Sequence, residues 1–471
     1  MKRRDFLKAG AIGVLASLVP GCMENAHRGP AKKPNIVFIM ADDMGYGDLG
    51  CYGATDIDTS HIDSIRNQGM KFTDFHVHPR CSPSRAALLT GCYANRVGIN
   101  RVIYLDDKWG VNKNEVLIPE LLKRQGYRTG MVGKWHLGEW EPFWPGNHGF
   151  DYSLFRASAV DTEKLEKDGY DFFESGKKKY PSKHGFYKNG KLQNRRSQNV
   201  TDTELYTAGA VEFINENKDK PFFLYFAHFL PHIPLRPSAR FKGKSGRGLY
   251  GDCVEEMDFS VGQVLKIIDE LNLTKNTLVV FCSDNGPQLK ALNAESGGKS
   301  GPLRDGKWTT FEGGTRTPFV ARWPRKIKPG SESHDLIGII DMLPTFCGLA
   351  GAKVPDDRVI DGVDISSCMF GRSGGNPPRE TFAYFDGGGL FAFRYKKWKL
   401  FIREEASKGT NAKVLRNKKV AAGVLFDLEN DLAETKDVSS DYPEVVARIK
   451  SMADKFLSDF EKNKRPPGRM K

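Results

Sequence analysis

Four apolar runs set the limits on what this chain can fold into. They are NIVFIMA (35–41), YRTGMVG (127–133), PFFLYFAHF (221–229) and TLVVFCS (277–283), and none alternates strictly between apolar and polar residues. A strand without that alternation is buried on both faces, as in a parallel sheet covered by helices. Helix-favouring segments separate the runs: residues 59–68, EVLIPELLKRQ stopped by Gly126, ELYTAGAVEFINEN and YGDCVEEMDFSVGQVLKIIDELNL. The alternation predicts an α/β fold, with a large mixed, mostly parallel sheet covered by helices on both faces. Beyond a turn-rich stretch, GRSGGNPPRE (371–380), the runs TFAYFD, LFAFRYKKWKLFI and VLFDLEN are shorter, and a helix over 443–461 follows. They predict a small C-terminal antiparallel sheet with one helix. The principal domain is therefore expected over 31–372 and a subdomain over 373–471. Residues 155–200, rich in Lys, Asp, Gly and Tyr, read as a long loop or insertion.

The first 22 residues read as a targeting segment. MKRRDFLK carries twin arginines, and the apolar run that ends at Pro20 is too short to span a bilayer. The pattern resembles a bacterial twin-arginine export signal. LVPGC resembles a lipoprotein cleavage box with Cys22 as the lipid acceptor, although Pro20 is an unusual occupant. The expectation is an exported bacterial protein, periplasmic or anchored in the outer membrane as a lipoprotein. The formal net charge is +13, and +10 remains without residues 1–30. Such a balance favours a polyanionic partner: nucleic acid, anionic membrane or sulfated polysaccharide. No nucleic-acid recognition motif accompanies it. The YKKWK stretch (395–399), with Lys396, Lys397 and Lys399, is expected to help steer such a substrate. The eight cysteines show no CxxC pair and no regular spacing, which argues against a disulfide scaffold.

In an open α/β sheet, ligands sit at the carboxyl ends of the strands. The first run ends in Asp42 and Asp43, and the last in Asp284 and Asn285. Each pair alone would be a turn former. Together they offer hard oxygen ligands suited to Ca²⁺ or Mg²⁺. GKWH places Lys134 and His136 two apart beyond a strand, PHIP supplies His232, and a glycine-rich stretch supplies Lys307. His228 falls inside its apolar run and reads as a packed residue. Cations, histidines and a divalent metal suit a tetrahedral oxyanion such as phosphate or sulfate.

CSPSRAALLTG (81–91) adds a cysteine at the start of a helix, beside Arg85. Cys81 is either a low-pKa nucleophile or the precursor of another group. Here the chain resembles the formylglycine-dependent sulfatases of the alkaline phosphatase superfamily. CSPSR matches their Cys-x-Pro-Ser-Arg signature. GYRTGMVGKWH matches their second signature, and NIVFIMADDMGYGDLGCYG, PHIPL, SDNGP and GGTRTP follow in the family's order. The similarity runs from about residue 35 to about 428.

The resemblance implies that a maturase oxidises Cys81 to formylglycine, whose hydrate attacks sulfur. It implies Ca²⁺ bound by Asp42, Asp43, Asp284, Asn285 and the modified residue 81. Arg85 would stabilise the hydrate, and Lys134 and Lys307 would neutralise the sulfate. His232 would protonate or orient the leaving alcohol, and His136 would take a proton as sulfate is expelled. The implied substrate is a sulfated polysaccharide or its oligosaccharides. The alternative is a formylglycine-dependent phosphodiester or phosphonate monoester hydrolase. Thr315 and Thr317 depart from the aliphatic residues common around Arg316, which is expected to alter packing rather than chemistry. His76 and His78 read as surface strand positions or substrate contacts. Asp106 and Asp107 read as loop residues, and Trp109, Trp140 and Trp144 as core residues.

Overall fold

The computed structural model describes residues 33–470 except 105–106, 157–169, 172–177, 180–185, 194–200, 291–295 and 408–418. The expected export segment with Cys22, together with Asp106 and most of the 155–200 insertion, lies outside the described residues.

The apolar runs form strands of one ten-stranded sheet. In chain order its strands are β1 (Asn35–Ala41), β2 (Met70–Phe72), β3 (Arg128–Lys134), β4 (Tyr152–Arg156), β5 (Phe186–Lys188), β6 (Lys191–Leu192), β7 (Phe222–Ala227), β8 (Thr277–Ser283), β9 (Phe319–Arg322) and β10 (Ser331–Ser333). Their spatial order is β6-β5-β4-β3-β7-β1-β8-β9-β2-β10. The central five, β4 to β8, are parallel. β9 joins antiparallel to β8, and β5 antiparallel to β4. All seven residues of β1 are buried. Ile36, Phe38 and Met40 face one core, while Val37 and Ile39 face the other. Burial on both sides is why the run carries no polar alternation.

On the first face lie α2 (Cys81–Thr90), α3 (Ile118–Lys123) and α6 (Met342–Ala350), which supply Leu88, Leu122 and Phe346. On the second lie α1 (Ser60–Asn67), α4 (Asp202–Glu216) and α5 (Gly248–Glu270), which supply Ile65, Phe213 and Val261. α2 opens with Pro83 in its first turn, where backbone N–H groups have no intrahelical partner to lose. It ends at Gly91, whose φ of 67° is left-handed.

β11 (Thr381–Asp386), β12 (Gly389–Tyr395), β13 (Trp398–Phe401) and β14 (Leu425–Asp427) make a four-stranded antiparallel sheet. α7 (Pro443–Lys462) lays Phe456 and Phe460 against Phe385 of that sheet. The first-face core runs unbroken into it through Tyr93 and Phe382.

Candidate active site

The parallel strands β3, β7, β1 and β8 end side by side, so their trailing residues converge. Asp42 and Asp43 follow β1, Asp284 and Asn285 follow β8, and Lys134 closes β3. Beyond β7 the chain turns back, and the Leu230 carbonyl accepts the Asp42 N–H at 3.1 Å. β3 passes close to β7 only because residue 133 is glycine: a Cβ there would lie 1.8 Å from the Ala227 oxygen. Asp43, His136 and Trp308 have φ of 67°, 58° and 75°. Non-glycine residues in left-handed backbone cluster at functional sites because the surroundings must hold them there.

Every residue expected at the site is within this convergence. Arg85, fully buried on α2, donates to Asp284 Oδ2 through Nη2 at 2.7 Å and Nε at 3.0 Å, and to the Lys134 carbonyl at 2.9 Å. Lys134 Nζ bonds Asp42 Oδ2. Lys307 Nζ lies 2.6 and 2.7 Å from the two Asp43 oxygens. Asn285 Nδ2 donates to Asp43 Oδ1 at 2.7 Å. His232 sets Nδ1 against the Ile233 carbonyl and Nε2 3.7 Å from Asp43 Oδ2. His136 donates Nε2–H to the Ile103 carbonyl at 3.0 Å, and its buried Nδ1 has no partner among the described residues. A ligand atom from each of Asp42, Cys81 and Asp284 lies within 4.8 Å of the others.

Crowding sets the electrostatics. Burial pushes the Cys81 thiol up, and Lys134 and Lys307 do not overcome it. That direction favours the neutral thiol and speaks against a low-pKa nucleophile. Burial and the adjacent Asp42 push Asp284 up to about 7. Burial works against ionising Asp42 too, yet Lys134, His232 and Arg85 hold it well below the usual carboxylate range. Burial, Lys134 and Arg85 drive His136 well below the ordinary imidazole value. Burial and Lys307 likewise lower His232.

The donor set fits a hard divalent cation. Asp42 Oδ1 and Asn285 Oδ1 are buried with no hydrogen-bond partner among the described residues. Such orphaned oxygens are costly unless a ligand takes them. Three carboxylates and an amide oxygen are the oxygen-only set that Ca²⁺ accepts.

Other expectations need correction. His76 and His78 are not surface residues. His76 is fully buried, with Nε2 2.8 Å from Asp74 Oδ1 and Tyr384 and Arg394 against it. His78 Nε2 accepts the Ala94 N–H at 3.1 Å. Lys399 of YKKWK is fully buried and bridges Glu312 and Glu434. Trp109, Trp140 and Trp144 are all only partly buried; Trp109 and Trp144 pack against the first-face core, and Trp140 Nε1 donates to the Asp107 carbonyl at 3.1 Å. Trp144 packs on Tyr187 at 4.3 Å between centroids. His228 is buried against Phe226, as a packed strand residue should be. Thr317 Oγ1 donates to the Ser283 carbonyl, so its departure from the aliphatic pattern does bear on packing beneath the site.

Three contributors escaped the sequence. Tyr225 OH lies 3.4 Å from Arg85 Nη1. Trp308 sits beside Lys307 and under the Arg80 guanidinium, 4.8 Å from ring centroid to Cζ. Arg80 is tied by two bonds to Asp386 of the small sheet. Arg80 directly precedes Cys81, and that adjacency was the one available signal.

Fold and site together define an enzyme-like centre at the carboxyl edge of a parallel sheet, with cations and carboxylates suited to a tetrahedral oxyanion. More specifically, the chain belongs to the sulfatase family and is a sulfuric ester hydrolase. Residues 34–352 match the family described as Sulfatase, and residues 377–469 match that described as the C-terminal region of aryl-sulfatase. Mouse (Mus musculus) N-acetylgalactosamine-6-sulfatase is 38% identical over 428 residues, covering 86% of this chain and 78% of the relative. Human (Homo sapiens) arylsulfatase A is 35% identical over 454 residues, covering 90% and 87%. Among solved structures, the PsFucS1 sulfatase from Pseudoalteromonas sp. superposes with a TM-score of 0.80 at 27% identity, covering 93% of this chain and 92% of that one. Ps i-CgsB in complex with k-i-k-neocarrahexaose gives 0.76 at 29% identity, covering 92% and 94%.

Proposed function

We propose that this sulfatase removes sulfate from a sulfated polysaccharide or its oligosaccharides, using an aldehyde made from Cys81. The observation that carries the reading is the thiol itself. Cys81 opens α2 beside Arg85, its sulfur within 4.8 Å of carboxylate oxygens of Asp42 and Asp284, and burial raises the thiol rather than activating it. A thiol raised in this way is a poorer nucleophile, and an aldehyde made from it would stand at the same point among the cations. Oxidised and hydrated, residue 81 supplies one hydroxyl to attack sulfur and a second through which sulfate is later expelled. A Ca²⁺ held by Asp42, Asp43, Asp284 and Asn285 would supply positive charge against the sulfate oxygens.

The chain's own groups divide the remaining work. Arg85, held by Asp284, presents its guanidinium beside residue 81. Lys134 and Lys307 bring two ammonium groups to the place where anionic charge must be met. The bond from His232 Nδ1 to the Ile233 carbonyl leaves Nε2 directed into the site, where it serves the leaving alcohol. His136 keeps Nδ1 as its basic nitrogen, since Nε2–H is committed to Ile103. That nitrogen takes the proton as sulfate leaves.

The carbohydrate class is supported by relatives named for N-acetylgalactosamine 6-sulfate and by a superposable sulfatase holding a neocarrahexaose. The twin arginines support export of the chain from a bacterium, with Cys22 as a lipid acceptor. Peptide mass spectrometry of active enzyme should show residue 81 as the aldehyde, and Cys81→Ala should fold without turnover. A screen of sulfated oligosaccharides, with regiochemistry read by NMR, should find a substrate. Full activity with an unmodified thiol would sink the mechanism, and faster turnover of a phosphonate monoester would replace the substrate class.

A further inference from the structure

Residues 464–470, which follow α7, run back across the catalytic domain instead of staying with the small sheet. The Arg465 N–H donates to the Arg96 carbonyl at 2.6 Å, and its guanidinium grips Glu115 at 2.7 and 3.1 Å. Pro467 lies against Gly98, where a Cβ would come within 2.4 Å of its ring. Gly468 and Arg469 then pair antiparallel with Gly110 and Trp109, and the Met470 N–H donates to the Lys108 carbonyl at 2.9 Å. Residue 468 has to be small: a Cβ there would lie 2.8 Å from Phe143 Cε1 and 2.9 Å from the Val111 oxygen.

The segment thus gripped reaches the reacting groups from two directions. The Val111 N–H donates to the Leu137 carbonyl, next to His136, at 2.8 Å. On the other side Asp107 binds the Arg101 guanidinium at 2.8 and 2.9 Å and accepts the Tyr104 N–H at 2.7 Å. Between Arg101 and Tyr104, the Ile103 N–H donates to Ser82 Oγ at 3.1 Å, and the Ile103 carbonyl accepts His136 Nε2–H. Ser82 adjoins Cys81 on α2.

We propose that residues 464–470 are a strap that positions His136. The strap holds the Ile103 carbonyl against one ring nitrogen and the Leu137 backbone beside the ring, so that Nδ1 is left as the basic nitrogen. This rests on the reading of His136 as the proton acceptor. The strap residues touch no reacting atom and act through His136 alone. Without them, the imidazole loses its fixed rotamer and tautomer, and the proton-transfer step slows while binding of a small ester does not.

The test is a double-mutant cycle on purified full-length enzyme carrying the modified residue 81, with a small aryl sulfate as probe. Deletion of residues 468–471 removes the strand pairing and spares the Arg465 anchor. Gly468→Val displaces the same pairing by its clash with Phe143 and keeps the chain length. Thermal melts confirm that each variant is folded. In the wild-type background each change should lower kcat about 10-fold and KM along with it, leaving kcat/KM nearly constant because sulfate release follows departure of the alcohol; that fall is a fraction of the ~10²–10⁴ that general acid–base catalysis contributes. In the His136→Ala background the same changes should leave the residual kcat within about 2-fold, because their target is already gone. An equal fall in both backgrounds would make the strap merely structural and overturn the proposal, as would an unchanged kcat in the wild-type background. A His136→Ala enzyme with wild-type kcat would instead refute the role of His136, and the strap's role with it.

Discussion

Replacing Lys399 with methionine tests whether the small sheet holds part of the active site in place. Lys399 lies on β13 with its side chain fully buried. Its Nζ donates to the Thr310 carbonyl at 2.7 Å and pairs with Glu312 at 3.0 Å and Glu434 at 2.9 Å. Burial pushes Glu434 up to about 7, while Lys399 and His76 overcome burial to hold Glu312 at about 2. Methionine fills the space of the lysine stem and leaves both carboxylates without their ammonium. Breaking a buried pair by removing one partner costs about 3–5 kcal/mol. Arg316, 3.4 Å from Glu312, and the readiness of Glu434 to take a proton put the loss near the lower end, about 3 kcal/mol.

The pH dependence has a definite sign. Glu434, raised in the folded state, is neutral well below pH 7 and gives up its share of stability as pH rises through about 7. Glu312, lowered, keeps its contribution until pH falls through about 2. The deficit of Lys399→Met should therefore be smaller near pH 5 than near pH 8, and Glu434→Gln in the same chain should remove that difference. Urea unfolding followed by tryptophan fluorescence, with Trp398 beside the change, reads both quantities. Thr310 lies three residues from Lys307, and Glu405 accepts its N–H at 2.8 Å. The loss of its Lys399 bond should therefore also lower kcat/KM. A deficit under about 1 kcal/mol at pH 8, or one indifferent to pH, would refute the assignment of a buried, obligatory pair.

Chelation should abolish turnover, and Ca²⁺ should restore both activity and the melting temperature better than Zn²⁺, because the donor set is all oxygen. Asp42→Asn and Asp284→Asn should each weaken that Ca²⁺-dependent rise in melting temperature. The acid limb of kcat should lie below the ordinary imidazole range, since burial, Lys134 and Arg85 all disfavour protonated His136; Lys134→Met should move the limb of the residual activity to higher pH. Lys396 pairs with Glu380 at 3.1 Å, and Lys397 with Asp427 and Glu429 at 3.0 Å. Neutralising Lys396 and Lys397 together should therefore leave the salt dependence of kcat/KM on a sulfated oligosaccharide unchanged. A flattened slope would restore this stretch as a steering patch.

Periodicity and strand-end chemistry were legible in the chain by itself. Unbroken apolar runs specify strands buried on both faces, and the polar pairs closing them belong at the carboxyl edge whatever the loops do. Asp42, Asp43, Asp284, Asn285, Lys134 and His136 are legible from that alone. The pairing of partners far apart in sequence was decided by tertiary structure, because sheet order brings them together and local pattern does not encode sheet order. Lys397 and Lys399 look alike two residues apart in one run. Only the packing of β13 over Glu312 and Glu434 makes one a solvent-facing pair and the other a buried tie. His76 is the same case, enclosed by Arg394 and Tyr384 from a sheet more than three hundred residues away. Only a weak residue signature, the tolerance of Asp and His for it, marks the left-handed backbone at Asp43 and His136, and none marks it at Trp308. Those conformations persist because the surrounding contacts, the Ile103 carbonyl at His136 among them, hold the backbone where its own preference would not.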